Sequence, residues 1–550
     1  MKLHIVLDSK SKVSFTENDI VLVTDNNHIH DGFERLFHID YSLINESDEI
    51  YRGINDWFDK NENTEGIKNS AYNAVFRHIF GVLFTIDSII KHFEINTIVL
   101  YGGSNHIYAA AKYAEGEGEK KHYKTNWLVN YIIQKKYNKI FSITWLYKKP
   151  TFLFYCHHVL RYYFYLFRMF VTSIQKKRNI KKNGHNHEDC KCLSIVDLPL
   201  QYNHLISVFS KFPKDEYGLF SLDYNLAKSQ DNIEYIPKLS IRDVINIIIR
   251  RKKYKRNISL PLLSIKSIFI GKELNYLNIE YQIRLQRQLK CLEGKAKNTK
   301  KTLITDMTFG MDIASCHELA NLLGWDHINL QWVTMARVLY PNLNLADKFF
   351  MYSHKTYELY KNYSDSFYYY LPLKKQDDSK PNHELTLTIF MQPDVYAQDY
   401  LDYLNKLLPV IEENQLKLHL IIKPHYRQNR MSELYDIVNP YKFVSVAGMN
   451  DSCEVLLKNT SIALSMHSSV IFEALINNVC CLIYNPKGKY NDSVYNNDIC
   501  YPMVNFVITD AIETVDYIRD FKTYHKEYLE RRSAFIEKYN CKLDLEKLIQ

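Results

Sequence analysis

Glycine is scarce in this chain, 16 residues in 550, and there is neither a fixed-period repeat nor a long low-complexity tract, so nothing points to a repeat architecture or to global disorder. The opening residues, MKLHIVLDSKSK, have no basic leader, long apolar core or small-residue cleavage site; no secretion signal is expected, and reduced thiols follow. The ten cysteines are scattered, with only Cys190/Cys192 and Cys480/Cys481 close together, which gives no disulfide framework. An uninterrupted bilayer span is not expected either. The most apolar stretch, TFLFYCHHVLRYYFYLFRMFVTSI at 151–174, contains His157, His158, Arg161 and Arg168. No nucleic-acid-binding motif is recognisable. HNHEDCKC (185–192) lacks a second Cys/His pair at zinc spacing and reads as a polar loop, and Cys316 in ASCHE reads as core.

What is present belongs to an ordinary globular protein, with 46% hydrophobic and 24% charged residues and a length that predicts two domains. The net charge of +8 is uneven. Residues 141–260 hold 21 Lys and Arg against 9 Asp and Glu, more than the whole excess. Within this segment QKKRNIKK (175–182) follows the aromatic run, and RRKKYKR (250–256) follows INIII (245–249). Aromatic and aliphatic residues beside cationic clusters suit a helix lying in an anionic membrane surface, the alternative being a buried helix with a solvated basic end.

The remaining chain alternates strand-like and helix-like patterns. HIVLD, DIVLVTD and NTIVLYGG read as strands and FGVLFTIDSIIKHF as a helix. From 301, TLITDMTFG is a strand and turn, DIASCHELANLLG a helix stopped by Gly324, and DHINLQ the next strand. After a linker-like stretch at 373–384 the pattern is most regular: TLTIFMQP, LKLHLIIKPH, FVSVAG, SIALSM and VCCLIYNP alternate with helices. The expected fold is α/β with two Rossmann-like domains. The N-terminal one spans 1–375, with a basic, aromatic-rich insertion at about 125–260. The C-terminal one spans 385–525, and a last helix covers 526–550.

In doubly wound sheets, ligands sit at the carboxyl ends of strands. Two such ends carry chemistry. Lys423-Pro424-His425-Tyr426-Arg427 follows LHLII and offers an ammonium, an imidazole and a guanidinium to an anion. Ser465-Met466-His467-Ser468-Ser469 ends SIAL and opens a helix with Glu473 one turn in, where hydroxyls and amide N–H groups can hold phosphate. Serine is also an ordinary helix cap. Together the two form a candidate pyrophosphate or nucleotide-monophosphate cradle. For a proton acceptor the candidates are Asp306, after TLIT, then Asp8 and Asp312.

The run FMQP, IIKPHYR and SMHSSVIFEAL, in that order, resembles the C-terminal domain of bacterial GT-B glycosyltransferases of surface polysaccharides, and most nearly the sialyltransferase- and polysialyltransferase-like group. The resemblance implies two domains facing across a cleft, inverting transfer from a CMP-activated acidic sugar, and a glycan or glycolipid acceptor. It gives His425 the phosphate-contacting histidine role and Ser468 and Ser469 the paired-serine role. The order here is Pro424-His425 where that group has His before Pro. HINLQWVTMARVLYPNLNLADKFFMYSHKTYELY is similar to the end of the N-terminal domain of capsule and teichoic-acid transferases, with Gln331-Trp332-Val333 where relatives have Gln-His-Gly. A cytoplasmic enzyme, peripheral on the inner face of the membrane, with no obligate metal and no nucleic-acid partner, is the expectation. CDP-glycerol or CDP-ribitol phosphotransfer, UDP-sugar transfer and a non-catalytic scaffold are the alternatives.

Overall fold

The structure, a computed structural model, describes residues 1–6, 16, 18–23, 35–38, 77–101, 126–145, 163–164, 166–174, 190–209, 212–250, 258–260, 265–293, 300–307, 311–331, 346–351, 357–358, 361, 364–369, 385–392, 397–425, 428–449, 451–466, 468, 470–486 and 505–539. Short β-branched runs, nearly all buried, form three largely parallel sheets, because a strand covered on both faces reads as a continuous apolar run.

The first sheet holds β1 (Lys2–Val6), β2 (Ile20–Val23), β3 (Leu36–His38), β4 (Thr97–Tyr101) and β5 (Ser142–Trp145), in the order β3-β2-β1-β4-β5. Helix α1 (Arg77–His92) precedes β4, and α2 (Asn126–Tyr137) precedes β5. Every pair is parallel.

The second sheet begins with β6 (Cys192–Ile195), α3 (Pro199–Phe209), β7 (Tyr217–Ser221), α4 (Tyr224–Ser229), β8 (Ile233–Tyr235) and α5 (Ile241–Arg250). A separate antiparallel ribbon of β9 (Ile258–Leu260) and β10 (Ile265–Ser267) follows. Next come α6 (Ile268–Leu292), β11 (Thr302–Thr305), α7 (Met311–Leu323), β12 (Asp326–Gln331), β13 (Lys348–Met351) and β14 (Phe367–Tyr369). The order is β14-β13-β12-β11-β6-β7-β8. Gly324, at φ +68°, ends α7 in the left-handed region that favours glycine, as the sequence predicts.

The third sheet comprises β15 (Leu385–Phe390), α8 (Ala397–Glu413), β16 (Leu418–Lys423), α9 (Met431–Val438), β17 (Val444–Val446), α10 (Cys453–Lys458), β18 (Ile462–Ser465), α11 (Val470–Ile476), β19 (Cys480–Tyr484) and β20 (Asn505–Ile508), followed by α12 (Ala511–Arg519) and α13 (Phe521–Tyr539). It is parallel throughout, ordered β17-β16-β15-β18-β19-β20. Helix α8 buries Tyr400, Leu401, Leu404, Leu407, Leu408 and Ile411, a helical repeat on one face.

All three sheets share one path. The first strand is central, the next two run to one edge, and the chain then returns to the first strand's other side, which is the doubly wound order. The α/β class and Rossmann-like order therefore hold. Residues 125–260 differ from expectation: their described part carries α2, β5, β6, α3, β7, α4, β8, α5 and β9. What reads as an insertion includes the first half of a second doubly wound sheet. Its strands, CLSI, YGLFS and IEY, are short, and the cationic and aromatic residues around them dominate the local composition. By contact the chain forms two compact units, one holding residues 1–331 and the other 350–548, with the whole third sheet in the second.

Candidate functional site

Brought to the carboxyl edge of the third sheet are the ends of β15, β16 and β18, and the direction of winding switches between β15 and β18. Adjacent strands in register set the levels. Phe390 pairs with Lys423, and Ile389 with Leu464, so Gln392, Pro424 and Met466 leave the sheet at its rim.

At the switch point the strand ends are laced together. The buried Ser465 hydroxyl donates to the Phe390 carbonyl at 2.8 Å, and Gln392 Nε2 reaches Ser465 Oγ at 3.4 Å. Tyr400 Oη donates to the same Phe390 carbonyl at 3.1 Å and accepts from the Met466 amide at 3.0 Å. Ser465 is thus committed to the main chain, and it ties the ends of β15 and β18 together.

Lys423 is buried, and its ammonium donates to Pro424 O at 2.9 Å and Met449 O at 2.7 Å. Burial lowers its pKa below the ordinary lysine value, against the opposing pull of Cys453 and Asp451. Burial likewise pushes the Cys453 thiol up to about 11. The lysine fastens the β16 exit to the turn after β17. In that turn Gly448 N–H donates to Asp451 Oδ2 at 2.7 Å, and a Cβ on Gly448 would come within 2.9 Å of the same carboxylate. His425 follows, half-buried, with its carbonyl accepting from the Gln428 amide at 2.9 Å. Ser468, also half-buried, caps α11: its Oγ accepts from Val470 N at 3.3 Å. Glu473 is half-buried in the same helix. Arg427, His467 and Ser469 lie outside the described residues.

A second cluster of polar side chains lies at the switch point of the second sheet, between β6 and β11. Asp306 leaves β11 buried, with Oδ2 2.8 Å from His204 Nδ1 on α3; the two side chains are 6% and 4% exposed. The chain leaving β11 is held by Asn329 of β12, whose amide accepts from Met307 N and donates to Met307 O, both at 3.1 Å, and which also accepts from Thr305 at 2.7 Å. Beside this, Arg284 of α6 bridges Asp197, just past β6, and Asp312, the latter at 2.9 Å. Asp312, in the first turn of α7, is thereby an ion-pair partner, while Asp8 lies outside the described residues. His204, Asp197, Arg284 and Gln392 are the residues that sequence reasoning missed. The only signal for Gln392 was its place in FMQP. Nothing marked His204, which meets Asp306 across 102 residues of chain.

Cys190 and Cys192 are buried at the start of β6, and Cys190 Sγ donates to Asp215 O at 3.3 Å. The rest of HNHEDCKC lies outside the described residues. Among the described residues no His, Cys, Asp and Glu group is placed to hold a metal, and no helix is long and apolar enough to cross a membrane.

No protein-family model matches the sequence, and no curated protein does. Among solved structures the chain is similar to UDP-GlcNAc 2-epimerase from Methanocaldococcus jannaschii, with 12% identity over 60% of this chain and 92% of that one and a TM-score of 0.38. It is also similar to MurG from Acinetobacter baumannii, with 10% identity over 62% and 94% and a TM-score of 0.36. The wall teichoic acid polymerase TagF gives 10% identity over 71% and 93%, with a TM-score of 0.36. Likeness at this level says nothing of activity, so the chain's own sheets and side chains must.

Proposed function

We propose that this chain is a GT-B-type glycosyltransferase that moves a sugar from a nucleotide-activated donor to a bacterial surface glycan or glycolipid. One observation supports it above the others. The third sheet has the dinucleotide-fold strand order, and the polar residues of β15, β16 and β18 gather at its switch point, where such sheets bind nucleotides.

In this proposal His425 stabilises the leaving phosphate, with Arg427, His467, Ser468 and Ser469 around it and Glu473 one turn behind. Lys423 and Ser465 act one step back: the first holds the His425 loop to two carbonyls and the second locks β18 to β15. Asp306 orients His204, and the pair accepts the acceptor hydroxyl's proton as the new glycosidic bond forms, giving inversion. Cationic and hydroxyl groups at the phosphate balance the leaving charge, so no obligate metal is invoked. The donor is a CMP-activated acidic sugar, on the likeness of the QP, PH and SS segments to users of such donors. The enzyme works at the inner face of the cytoplasmic membrane, as a peripheral protein.

Phosphate contacts alone would serve CMP and UDP alike, so the base has to be tested directly. CMP and CDP should raise the melting temperature more than UDP or GDP at equal concentration, a tenfold affinity advantage being worth about 1.4 kcal/mol. Ser468→Ala with Ser469→Ala should abolish the shift. Stabilisation by UDP alone would leave the GT-B proposal standing and remove the CMP donor. CDP-glycerol turnover would make the enzyme a phosphotransferase, and silence to every nucleotide would favour a scaffold.

A further inference from the structure

Two helices in the basic segment turn apolar residues outward instead of burying them. In the helical turns at 163–173, Tyr163, Phe164, Phe167 and Val171 recur at helical spacing and are exposed, Phe164 by 61% and Phe167 by 64%. Met169, off that stripe, is buried. Helix α5 repeats the arrangement with aliphatic residues. Ile241, Ile245 and Ile249 stand at i, i+4 and i+8 and are exposed, Ile249 by 68%, while Val244 on the other side is fully buried and α5 packs against α6.

The end of the first is joined to the start of the second. Ile174, which closes the first, forms a parallel bridge with Leu239, two residues before α5, and Lys238 donates to the Thr172 carbonyl. Two apolar stripes therefore leave a common junction, more than the scattered exposed leucine or isoleucine that any soluble surface carries.

The charges beside them have one sign. Arg168, Arg242 and Arg250 are exposed on these two helices. Asp243, the one acidic residue in 163–174 or 238–250, is drawn back by Lys290 at 2.6 Å and by Ser240. In sequence, Lys and Arg continue directly after each helix, at 176–182 and 251–256. A protein partner would be expected to supply acidic side chains at fixed points. A bilayer supplies a continuous apolar layer under a sheet of negative headgroups, which fits a stripe of Phe, Tyr and Ile edged by arginines.

We propose that the helical turns at 163–173 and α5 together form a monotopic docking face that inserts its aromatic and isoleucine stripes into an anionic lipid surface. This specifies the membrane contact invoked in the proposed function, and it stands on a readout that needs no turnover. The whole chain should float with vesicles of phosphatidylglycerol and phosphatidylcholine and not with phosphatidylcholine alone. Phe164→Ser with Phe167→Ser, and separately Ile245→Asn with Ile249→Asn, should each weaken partition ~10-fold or more, with far-ultraviolet circular dichroism and melting unchanged because the residues are exposed. Arg168→Gln, Arg242→Gln and Arg250→Gln together should weaken binding at low salt and make little difference at high salt. Flotation of either apolar pair as strongly as the unaltered protein overturns the proposal. So does a variant that turns a dimer into a monomer while the parent ignores vesicles, since the occupant is then a second copy. Nucleotide-induced stabilisation, measured on the same variants, reports the transferase proposal separately: its loss in the parent protein would sink that reading and leave the docking face intact.

Discussion

The switch points of the second and third sheets have the same topology and opposite furnishings. Between β6 and β11 the groups are ionisable: the buried pair His204 with Asp306, and the half-buried Arg284 with Asp197 and the exposed Asp312. Between β15 and β18 they are main-chain carbonyls, hydroxyls and an amide, and the neighbouring β16 ends in a lysine that binds two carbonyls. A carboxylate–imidazole pair suits the handling of a proton, because each partner can change charge while the other compensates. At the third sheet the carbonyls are already taken by Lys423 and Ser465, which leaves the capped start of α11 and the half-buried His425 imidazole as the N–H donors that would suit holding an anion still. One winding order thus carries two different sets of strand-end residues, and on the proposed function those residues divide the chemistry between them.

The largest expected effect separates the two switch points. Asp306→Asn should lower turnover by ~100-fold or more if the His204–Asp306 pair takes the acceptor's proton, and His204→Gln should do likewise. Neither should abolish nucleotide-induced stabilisation, which the proposal assigns to the third sheet. His425→Ala should also cost ~100-fold in turnover, but with weaker nucleotide stabilisation and near-normal circular dichroism, since its side chain is half-exposed. Loss of nucleotide binding in Asp306→Asn, or its retention in His425→Ala alongside full activity, would break the division of labour. Asp312→Asn is the control: a largely exposed carboxylate paired to Arg284 should matter little to turnover.

A smaller effect, on stability, distinguishes binding from holding. Lys423→Met keeps the volume but leaves Pro424 O and Met449 O without their donor, at a cost of about 1–3 kcal/mol. Gly448→Ala should disturb the same turn by pushing Asp451 away from the Gly448 amide. Chemical denaturation would show both as midpoint shifts. If Lys423→Met instead melts as the parent does and loses only nucleotide affinity, the ammonium is a ligand contact and not a brace.

How much of this was legible beforehand follows from where each constraint acts. β16 and its exit loop were readable because LHLII is a local apolar run and KPH is contiguous with it. Gly324 was readable because a helix stop is a single-residue conformational demand. The second sheet's first half was not, because CLSI, YGLFS and IEY are short strands set in a strongly cationic, aromatic segment whose composition outweighs their pattern. His204 could not be found by any local rule. Its partner is fixed by a crossover that brings α3 over the end of β11, a fact of winding order and not of spacing. At Lys423 a cation at a strand end suggests an anion; what no local rule shows is that two of its N–H groups go to the carbonyls of Pro424 and Met449, the second of them 26 residues away.

The smallest expected effect is a pH dependence confined to the first unit. Burial holds His4 in β1 below the ordinary imidazole value of 6.5, outweighing the opposing pull of Asp19, and it does the same to His317 in α7, outweighing Asp347. The unfolded chain protonates these rings near 6.5, whereas the folded chain resists until a lower pH. Between the folded values and 6.5 the unfolded state therefore binds more protons, and stability must rise with pH across that window and fall as the solution is acidified from neutrality. The shifted lysine of the second unit has the same sign, but its window lies just below 10.5, so it is silent here. Hydrogen exchange can separate the two. Amides of Leu303 and Ile304 in β11 should lose protection between pH 7 and 5, after correction for intrinsic exchange rates, while Ile422 and Leu464 in the third sheet should not. His4→Gln with His317→Gln should flatten the first response. An equal loss of protection in both units would mean that acidification acts through charges other than these two imidazoles, and the contrast between the units would then rest on their strand-end chemistry alone.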